Sequence, residues 1–225
     1  AALPFLLPLL IAVAISVKLG SKGPVLFKQV RIGHLGKPFV IFKFRTMTAG
    51  TDVSVHERHV ADLINLDQPM TKLDARDSRL VPFGRLFRAA GIDELPQLIN
   101  VLRGQMSIVG PRPCVECEYE RYLPWQLERF NTLPGMTGLW QVSGKNRLTF
   151  TEMVDCDIRY ARTKSLWLDL KIILMTPPAV INEIRIARAA AKAARRPLGL
   201  MQVPAPSAEI CELPRAKVVS KPSVQ

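Results

Sequence analysis

The sequence predicts a mainly helical α+β protein with an apolar N-terminal helix, a small β-hairpin and amphipathic helices suited to a membrane interface. Three observations lead to this fold class. Residues 1–17 carry no charge, residues 25–45 alternate with the period of a strand, and residues 95–102 place apolar side chains at helical spacing. Because 48% of the 225 residues are hydrophobic, the chain can bury a sizeable core, and disorder throughout is excluded.

The apolar N-terminal segment is expected to enter a membrane surface. Lys18, Lys22 and Lys28 follow it, and basic side chains beside an apolar segment favour the anionic cytoplasmic surface. Pro8 lacks an amide hydrogen, so we expect a kink there. A buried core helix is the alternative, since a continuous apolar run has the same pattern in both settings. Residue 1 is not Met, which leaves open a natural start upstream.

Residues 25–45 predict a β-hairpin that turns around Gly33, His34 and Gly36. In its second strand, Lys43 and Arg45 lie two residues apart and are expected to share one face of the sheet. Such a cationic face either binds an anion or is simply solvated, and the spacing leaves both interpretations open.

An acidic pair, Asp93 and Glu94, precedes a predicted amphipathic helix that ends near Gly104. Its apolar stripe consists of Leu95, Leu98, Ile99 and Leu102. Asp93 is therefore expected to cap the helix, with Glu94 in the first turn. Most such carboxylates only stabilise a helix, by about 0.5 to 1 kcal/mol.

Basic residues elsewhere in the chain give this acidic pair a possible chemical role. They are Arg85, Arg88, Arg112 between two prolines, and Lys43 with Arg45. Arginine pairs with phosphate oxygens and carboxylates suit Mg²⁺, so the expected substrate is a phosphate or diphosphate. Adjacent helical residues diverge by about 100°, so one carboxylate is expected to be a nucleophile and the other to handle metal or protons.

Several further helices are predicted along the chain. They cover residues 55–66, 115–131, 151–175 up to Pro177 and Pro178, and a basic Ala-rich stretch at 185–196. Trp167 suits either a membrane interface or core packing. The predicted domains are residues 1–22, 23–182 and a basic, disordered tail over 183–225.

Composition excludes some functional classes and leaves one alternative. Four cysteines in this length do not make a disulfide scaffold, and no second pair completes a zinc site with Cys114 and Cys117. A net charge of +12 suits an anionic membrane or a nucleic acid. A catalytically inactive, basic membrane scaffold or nucleic-acid binder is therefore the alternative function, although only 7% of residues are aromatic.

Taken together, several motifs resemble those of the bacterial sugar transferases, the monotopic phosphoglycosyl transferases. The motifs are KFRTM (43–47), DELPQL (93–98), MSIVGPRP (106–113), PGMTGLWQVSGKN (134–146) and SLWLDLKIIL (165–174). The resemblance covers about residues 4–182. It implies transfer of a hexose-1-phosphate from a UDP-sugar to polyprenyl (undecaprenyl) phosphate, with release of UMP. Such a step would initiate exopolysaccharide or other glycoconjugate assembly, without a nucleic-acid partner.

The resemblance also implies roles for individual residues. Asp93 would form a covalent phosphosugar intermediate, and Asp93 with Glu94 would hold Mg²⁺. Lys43 and Arg88 match phosphate-site positions, to which Arg45 is added as the neighbour of Lys43. The nucleotide-binding motif corresponds to Pro111, Arg112 and Pro113.

A re-entrant membrane helix over residues 1–22, broken at Pro8, is implied as well. It would hold the catalytic domain, residues 23–182, on the cytoplasmic face of the inner membrane. Leu7 stands where the family has Ser before this proline. Lys145 and Arg147 also depart from the family pattern in a loop near the substrate, which leaves the sugar open, although LWQVSGKN suggests galactose or glucose.

Overall fold

The computed structural model describes residues 3–48, 54–71, 79–81 and 83–195. Within these ranges the α-helices are α1 (Leu3–Gly20), α2 (Ser54–Asn65), α3 (Gly84–Ala90), α4 (Leu98–Leu102), α5 (Glu116–Tyr119), α6 (Leu139–Ser143), α7 (Phe150–Thr163) and α8 (Leu166–Arg195). The strands are β1 (Leu26–Ile32), β2 (Pro38–Phe44), β3 (Ser107–Val109) and β4 (Gly135–Thr137). The predicted mainly helical class with a small hairpin is confirmed, as is the helix expected near residues 55–66.

The hairpin has the antiparallel register that its turn imposes. Phe27 lies opposite Lys43, and Arg31 lies opposite Phe39. Because side chains alternate along a strand, Arg31 and Lys43 stand on the same face of the sheet. The connection is a single 3₁₀ turn, His34–Gly36, in which Leu35 has a left-handed conformation with φ 54°.

The free edge of β2 is covered by a segment that contains the acidic pair. This dyad segment consists of a 3₁₀ helix, Ile92–Gln97, and α4. The side-chain Nδ2 of Asn100 donates to the Val40 carbonyl at 2.7 Å, and its Oδ1 accepts a hydrogen bond from the backbone amide of Phe42 at 3.2 Å. The side chain of Asn100 thus takes the place of a neighbouring strand.

Two predictions about the dyad segment are wrong. Gly91, with φ 68°, precedes the 3₁₀ helix, so Asp93 lies in its first turn and does not cap an α-helix. The predicted apolar stripe is not the buried face, since Ile99 is 38% and Leu102 80% exposed, whereas Asn100 is fully buried. A 3₁₀ helix has three residues per turn, which rotates the later side chains away from the positions that a 3.6-residue period predicts.

Strands β3 and β4 form a parallel pair, with Ser107 opposite Gly135 and Val109 opposite Thr137. The two backbones approach so closely that a Cβ at Gly135 would lie 2.1 Å from the Gly110 amide nitrogen. Glycine is therefore required at residue 135. The main core cluster lies nearby and contains Ile32, Cys114, Tyr122, Phe130, Trp140, Phe150, Met153, Val154 and Ile158.

Two of the longer predicted helices have different boundaries in the structure. The helix expected over 115–131 is interrupted, because Leu123 is extended before Pro124, as residues before proline usually are. The helix expected over 151–175 is divided into α7 and α8 by the extended residue Lys164.

Helix α8 also corrects the predicted stop at Pro177 and Pro178. It passes both prolines, whose side chains are exposed, and includes the basic stretch up to Arg195. Helix α8 thus continues past residue 182, while the predicted domain boundaries stay predictions. The remainder of the predicted tail lies outside the described residues.

Helix α1 continues through Pro8 as one helix. Val13 and Val17 pack against Phe44, whereas Leu7, Ile11 and other apolar side chains of α1 are exposed. Among the residues that the structure describes, no helix combines the length and the apolar character needed to span a membrane. The re-entrant course and the break at Pro8 stay predictions.

Candidate active site

The acidic pair lies against the hairpin. The 3₁₀ helix of the dyad segment packs on β2, which leaves Asp93 7% exposed and Glu94 partly exposed. The Glu94 amide donates to the Gly91 carbonyl at 3.1 Å, and this bond fixes the turn that carries both carboxylates. The two side chains are thus presented on a short and well-anchored element.

Lys43 and Glu94 form an ion pair across these two elements. The Lys43 Nζ lies 3.0 Å from the Glu94 Oε1. Burial lowers the pKa of Lys43, and the Glu94 carboxylate offsets this effect only in part. The predicted combination of a strand lysine and the acidic pair is therefore present as a direct contact.

The segment of Pro111, Arg112 and Pro113 is held through its backbone carbonyls. Gly135 donates its amide to the Pro111 carbonyl at 2.9 Å, and the Arg129 Nη2 donates to the Arg112 carbonyl at 2.9 Å. The Arg31 Nη1 donates to the Pro113 carbonyl. Elements that are distant in sequence therefore fix this short loop.

The side chain of Arg112 is paired with Glu118. The Arg112 Nη1 lies 2.9 Å from Oε2 and 3.1 Å from Oε1 of that carboxylate, and Nη2 lies 3.1 Å from Oε1. Burial alone would lower the pKa of Arg112, but the attraction of Glu118 outweighs burial and raises that pKa. Glu118 therefore further stabilises the charged form of the guanidinium.

Arg31 belongs to the same site, although the sequence did not single it out. Its Nη1 donates to the Pro113 carbonyl at 3.3 Å, and its Nε and Nη2 donate to the Gln29 Oε1. Burial, followed by the like charge of Arg112, lowers the pKa of Arg31 to about 10. Strand alternation gave a usable signal, since Arg31 and Lys43 share one face of the hairpin once the register is known.

These groups influence one another electrostatically, which brings two predicted clusters into one site. Glu94 favours the charged forms of both Arg31 and Arg112, and Arg31 disfavours the charged form of Lys43. Arg31 shares a hairpin face with Lys43 and donates to the Pro113 carbonyl, and Lys43 pairs with Glu94, so the hairpin links the dyad segment to the Pro-Arg-Pro loop.

Arg45 and Arg88 differ in how they relate to this site. The Arg45 guanidinium donates to the Ser21 and Lys22 carbonyls, each at 2.7 Å, so it fastens the end of β2 to the chain after α1. These contacts give Arg45 a structural role and do not support its predicted phosphate contact. Arg88 lies in the last turn of α3, shortly before the dyad segment, and its phosphate role stays a prediction.

The donor set is compatible with a magnesium ion that is also held by a substrate. Asp93 and Glu94 supply carboxylate oxygens, the ligands that Mg²⁺ prefers. No cluster of three or more His, Cys, Asp or Glu occurs in the described ranges. Mg²⁺ is commonly bound by one or two carboxylates together with substrate phosphates and water, so two carboxylates suffice.

A separate groove of about 500 Å³ lies elsewhere on the molecule. It is lined by residues that include Ser107, Tyr160, Lys164 and Asp169. The Tyr160 hydroxyl donates to the Asp169 Oδ1 at 2.7 Å inside it. None of the predicted site residues lines this groove, so the acidic pair remains the candidate centre.

Comparison with known proteins supports the predicted family. The model of the bacterial sugar transferase family matches residues 1–183. The chain belongs to this family. The prediction of a sugar transferase is thereby confirmed at the level of the family.

Curated relatives share this match. A Caulobacter vibrioides protein named UDP-glucose:undecaprenyl-phosphate glucose-1-phosphate transferase is 43% identical over 186 residues, which cover 78% of this chain and 63% of the relative. The exopolysaccharide production protein ExoY of Rhizobium meliloti is 40% identical over 175 residues, 77% of each chain.

A third relative is the galactosyl transferase CpsE of Streptococcus agalactiae. It is 41% identical over 165 residues, which cover 71% of this sugar transferase and 35% of CpsE. The chain therefore spans about a third of CpsE and less than two thirds of the Caulobacter relative.

Proposed function

We propose that this sugar transferase moves a hexose-1-phosphate from a UDP-sugar to a polyprenyl phosphate, such as undecaprenyl phosphate, and releases UMP. The observation that carries the proposal is the ion pair of Lys43 with Glu94, the neighbour of Asp93, together with Arg31, which shares the hairpin face of Lys43 and donates to the Pro113 carbonyl. A diphosphate needs this combination, because a carboxylate can approach an anionic phosphorus only where cations offset the repulsion. The Caulobacter vibrioides relative, named as a UDP-glucose:undecaprenyl-phosphate glucose-1-phosphate transferase, supports the same substrates.

In the first step, an oxygen of Asp93 attacks the phosphorus that bears the sugar. A bond forms between this oxygen and the phosphorus, and the bridging P–O bond to the uridine phosphate breaks with its electron pair on UMP. An aspartate is ionised at neutral pH and needs no base for this attack. The product on the chain is an aspartyl phosphosugar.

In the second step, a phosphate oxygen of the polyprenyl phosphate attacks the same phosphorus. The bond from phosphorus to the Asp93 oxygen breaks, which restores the carboxylate and yields a polyprenyl-diphosphate-sugar. Glu94 lies next to the nucleophile and accepts any proton that the lipid phosphate still carries. Its ion pair with Lys43 holds it in place for this role.

The cations of the site bind and orient the diphosphate. Lys43 and Arg112 would contact phosphate oxygens, while Arg31 adds positive charge from below the Pro-Arg-Pro loop. Asp93 and Glu94 would hold Mg²⁺, which when bound supplies further neutralisation of the diphosphate charge.

A membrane surface is proposed as the place of reaction, because the second substrate is a lipid. Exposed apolar side chains occur on α1, on α4 and along α8, where Leu166 and Trp167 are more than three-quarters exposed. Contiguous exposed apolar surface commonly marks a membrane or protein contact. We propose that these helices lie in the cytoplasmic leaflet of the inner membrane and that the reaction begins exopolysaccharide assembly.

The covalent step is tested by intact-protein mass spectrometry. The full chain is incubated with UDP-glucose or UDP-galactose and Mg²⁺, without lipid acceptor. We expect a mass increase of one hexose phosphate in the wild-type chain and in Asp155→Asn, whose side chain is exposed on α7. The adduct should be missing from Asp93→Asn. An adduct that persists in this variant would exclude Asp93 as the nucleophile.

The metal requirement has its own test. We expect UMP release from the UDP-sugar to stop in EDTA and to return when Mg²⁺ is added in excess. Turnover that continues in EDTA would contradict the role assigned to the metal, while the adduct experiment would still report on Asp93.

A further inference from the structure

Glu118 and Arg112 form an ion pair whose two members differ in exposure. The Glu118 side chain is fully buried, whereas the Arg112 side chain is 24% exposed. In the other buried pair of this region, Arg129 with Asp157, both side chains are buried. Both side chains of the second pair are buried, whereas in the first pair the carboxylate is buried and the arginine side chain is partly exposed.

We propose that Glu118 is a positioning residue, which orients the guanidinium of the partly exposed Arg112 side chain toward the diphosphate of a nucleoside-diphosphate sugar. Glu118 uses both oxygens on Nη1 and Nη2 of Arg112. A guanidinium is a planar fork with five N–H donors, so the carboxylate fixes its plane and still leaves donors for a phosphate. This inference rests on the proposed function.

The burial of Glu118 is itself informative. A buried carboxylate is costly unless it is paired, and a surface arginine does not need such a partner to stay charged. Burial tends to raise the pKa of Glu118, but Arg112, followed by Arg31 and Arg129, lowers it overall. Three arginines therefore keep Glu118 ionised directly beneath the Pro-Arg-Pro loop.

The backbone around Arg112 is held as firmly as its side chain. The carbonyls of residues 111, 112 and 113 accept hydrogen bonds from Gly135, Arg129 and Arg31. With the backbone fixed, Glu118 determines where the guanidinium points. Preorganised donors of this kind strengthen binding because little ordering is left to occur when the ligand arrives.

The test compares Glu118→Gln with Glu128→Gln in the full chain. Glu128 also pairs with an arginine, Arg162, but on an exposed surface, so it is a matched control for loss of one carboxylate. We expect E118Q to raise the KM for UDP-glucose and the inhibition constant of UMP about tenfold, as for loss of a charged hydrogen bond. The value of kcat should change less, and E128Q should change neither constant.

A double-mutant comparison separates positioning from general stability. Arg112→Lys should raise the same two constants, and E118Q should add little in the R112K chain, because both act through one guanidinium. If E118Q does not fold, Glu118→Asp is measured instead. Its carboxylate recedes by one methylene, so KM should still rise.

Two results would overturn the proposal. A folded E118Q or E118D chain with unchanged KM and UMP inhibition shows that Glu118 has only a structural role. Additive effects of E118Q and R112K show that Glu118 does not act through Arg112. If the wild-type chain neither releases UMP from UDP-glucose or UDP-galactose nor binds UMP, the proposed function fails together with this inference.

Discussion

Helix α7 and the dyad segment are both helical elements with mixed apolar and polar residues, but the side chains that they bury differ in polarity. In α7, the buried face is mostly apolar and includes Phe150, Met153, Val154 and Ile158. In the dyad segment, the buried face contains Asp93, Gln97 and Asn100, while Ile99 and Leu102 are exposed. The two elements therefore contribute to the molecule in different ways.

The difference follows from what each element contacts. α7 begins with a capping box, in which Thr149 and Glu152 exchange hydrogen bonds, and it packs into the main core. The dyad segment instead pairs the polar side chain of Asn100 with β2 and leaves Ile99 and Leu102 exposed. We infer that α7 mainly stabilises the domain. The dyad segment leaves apolar side chains exposed and places its carboxylates at the site.

The largest effect is expected from Asp157→Ala in α7. Asp157 is buried and lies 2.5 Å from the Arg129 guanidinium, so its loss leaves a buried charge without its carboxylate. The free energy of unfolding should fall by about 3 to 5 kcal/mol in a urea titration. Asp155→Ala, two residues earlier on the exposed side, should change it by less than about 0.5 kcal/mol. Equal effects of the two variants would contradict the assignment of α7 as a stabilising element.

Replacing one isoleucine by alanine in each element tests directly whether the two elements differ in the apolar surface that they bury. Ile158→Ala removes a buried side chain from the core and should lower the free energy of unfolding by about 2 to 5 kcal/mol. Ile99→Ala removes a partly exposed one and should cost less than about 1 kcal/mol. The comparison would be overturned if I99A destabilised the chain as much as I158A does.

A smaller effect is expected where the dyad segment meets the hairpin. Asn100→Ala leaves the Val40 carbonyl and the Phe42 amide without their side-chain partner, which should cost about 2 kcal/mol. UMP release should also fall, because the strand of Lys43 is no longer tied to the segment of Glu94. Asn65→Ala at the exposed end of α2 serves as the control and should alter neither quantity. Full activity in N100A would show that this tie does not support the site.

Much of the fold follows from local patterns in the sequence. Period-two alternation predicted the hairpin, and the structure confirms it with strands Leu26–Ile32 and Pro38–Phe44. Helix boundaries were harder to predict from the sequence. A proline interrupts one predicted helix after Leu123, whereas Pro177 and Pro178 both lie within α8. The outcome at a proline depends on packing and exposure, which are tertiary properties.

The candidate site was predictable where one motif carries its residues. The acidic pair and the Pro-Arg-Pro loop are each contained in one short motif, and the structure places Lys43 in contact with Glu94. The catalytic and binding roles of these residues stay predictions. Arg31 and Glu118 were missed because their roles arise from strand register and from a buried ion pair. Arg45 was placed with Lys43 by alternation alone, but it lies just beyond β2 and binds the carbonyls of Ser21 and Lys22.

The smallest expected effect is a shift in pH dependence caused by Lys43→Arg. Burial lowers the pKa of Lys43, so this side chain loses its proton at a lower pH than an ordinary lysine does. Above that pH the neutral amine neither pairs with Glu94 nor attracts a phosphate, and kcat/KM for the UDP-sugar should fall. An arginine stays charged through this range, so K43R should move the alkaline fall to higher pH. Lys28→Arg, on the opposite face of the hairpin, should leave the profile unchanged, and an identical shift in both variants would exclude Lys43 as the titrating group.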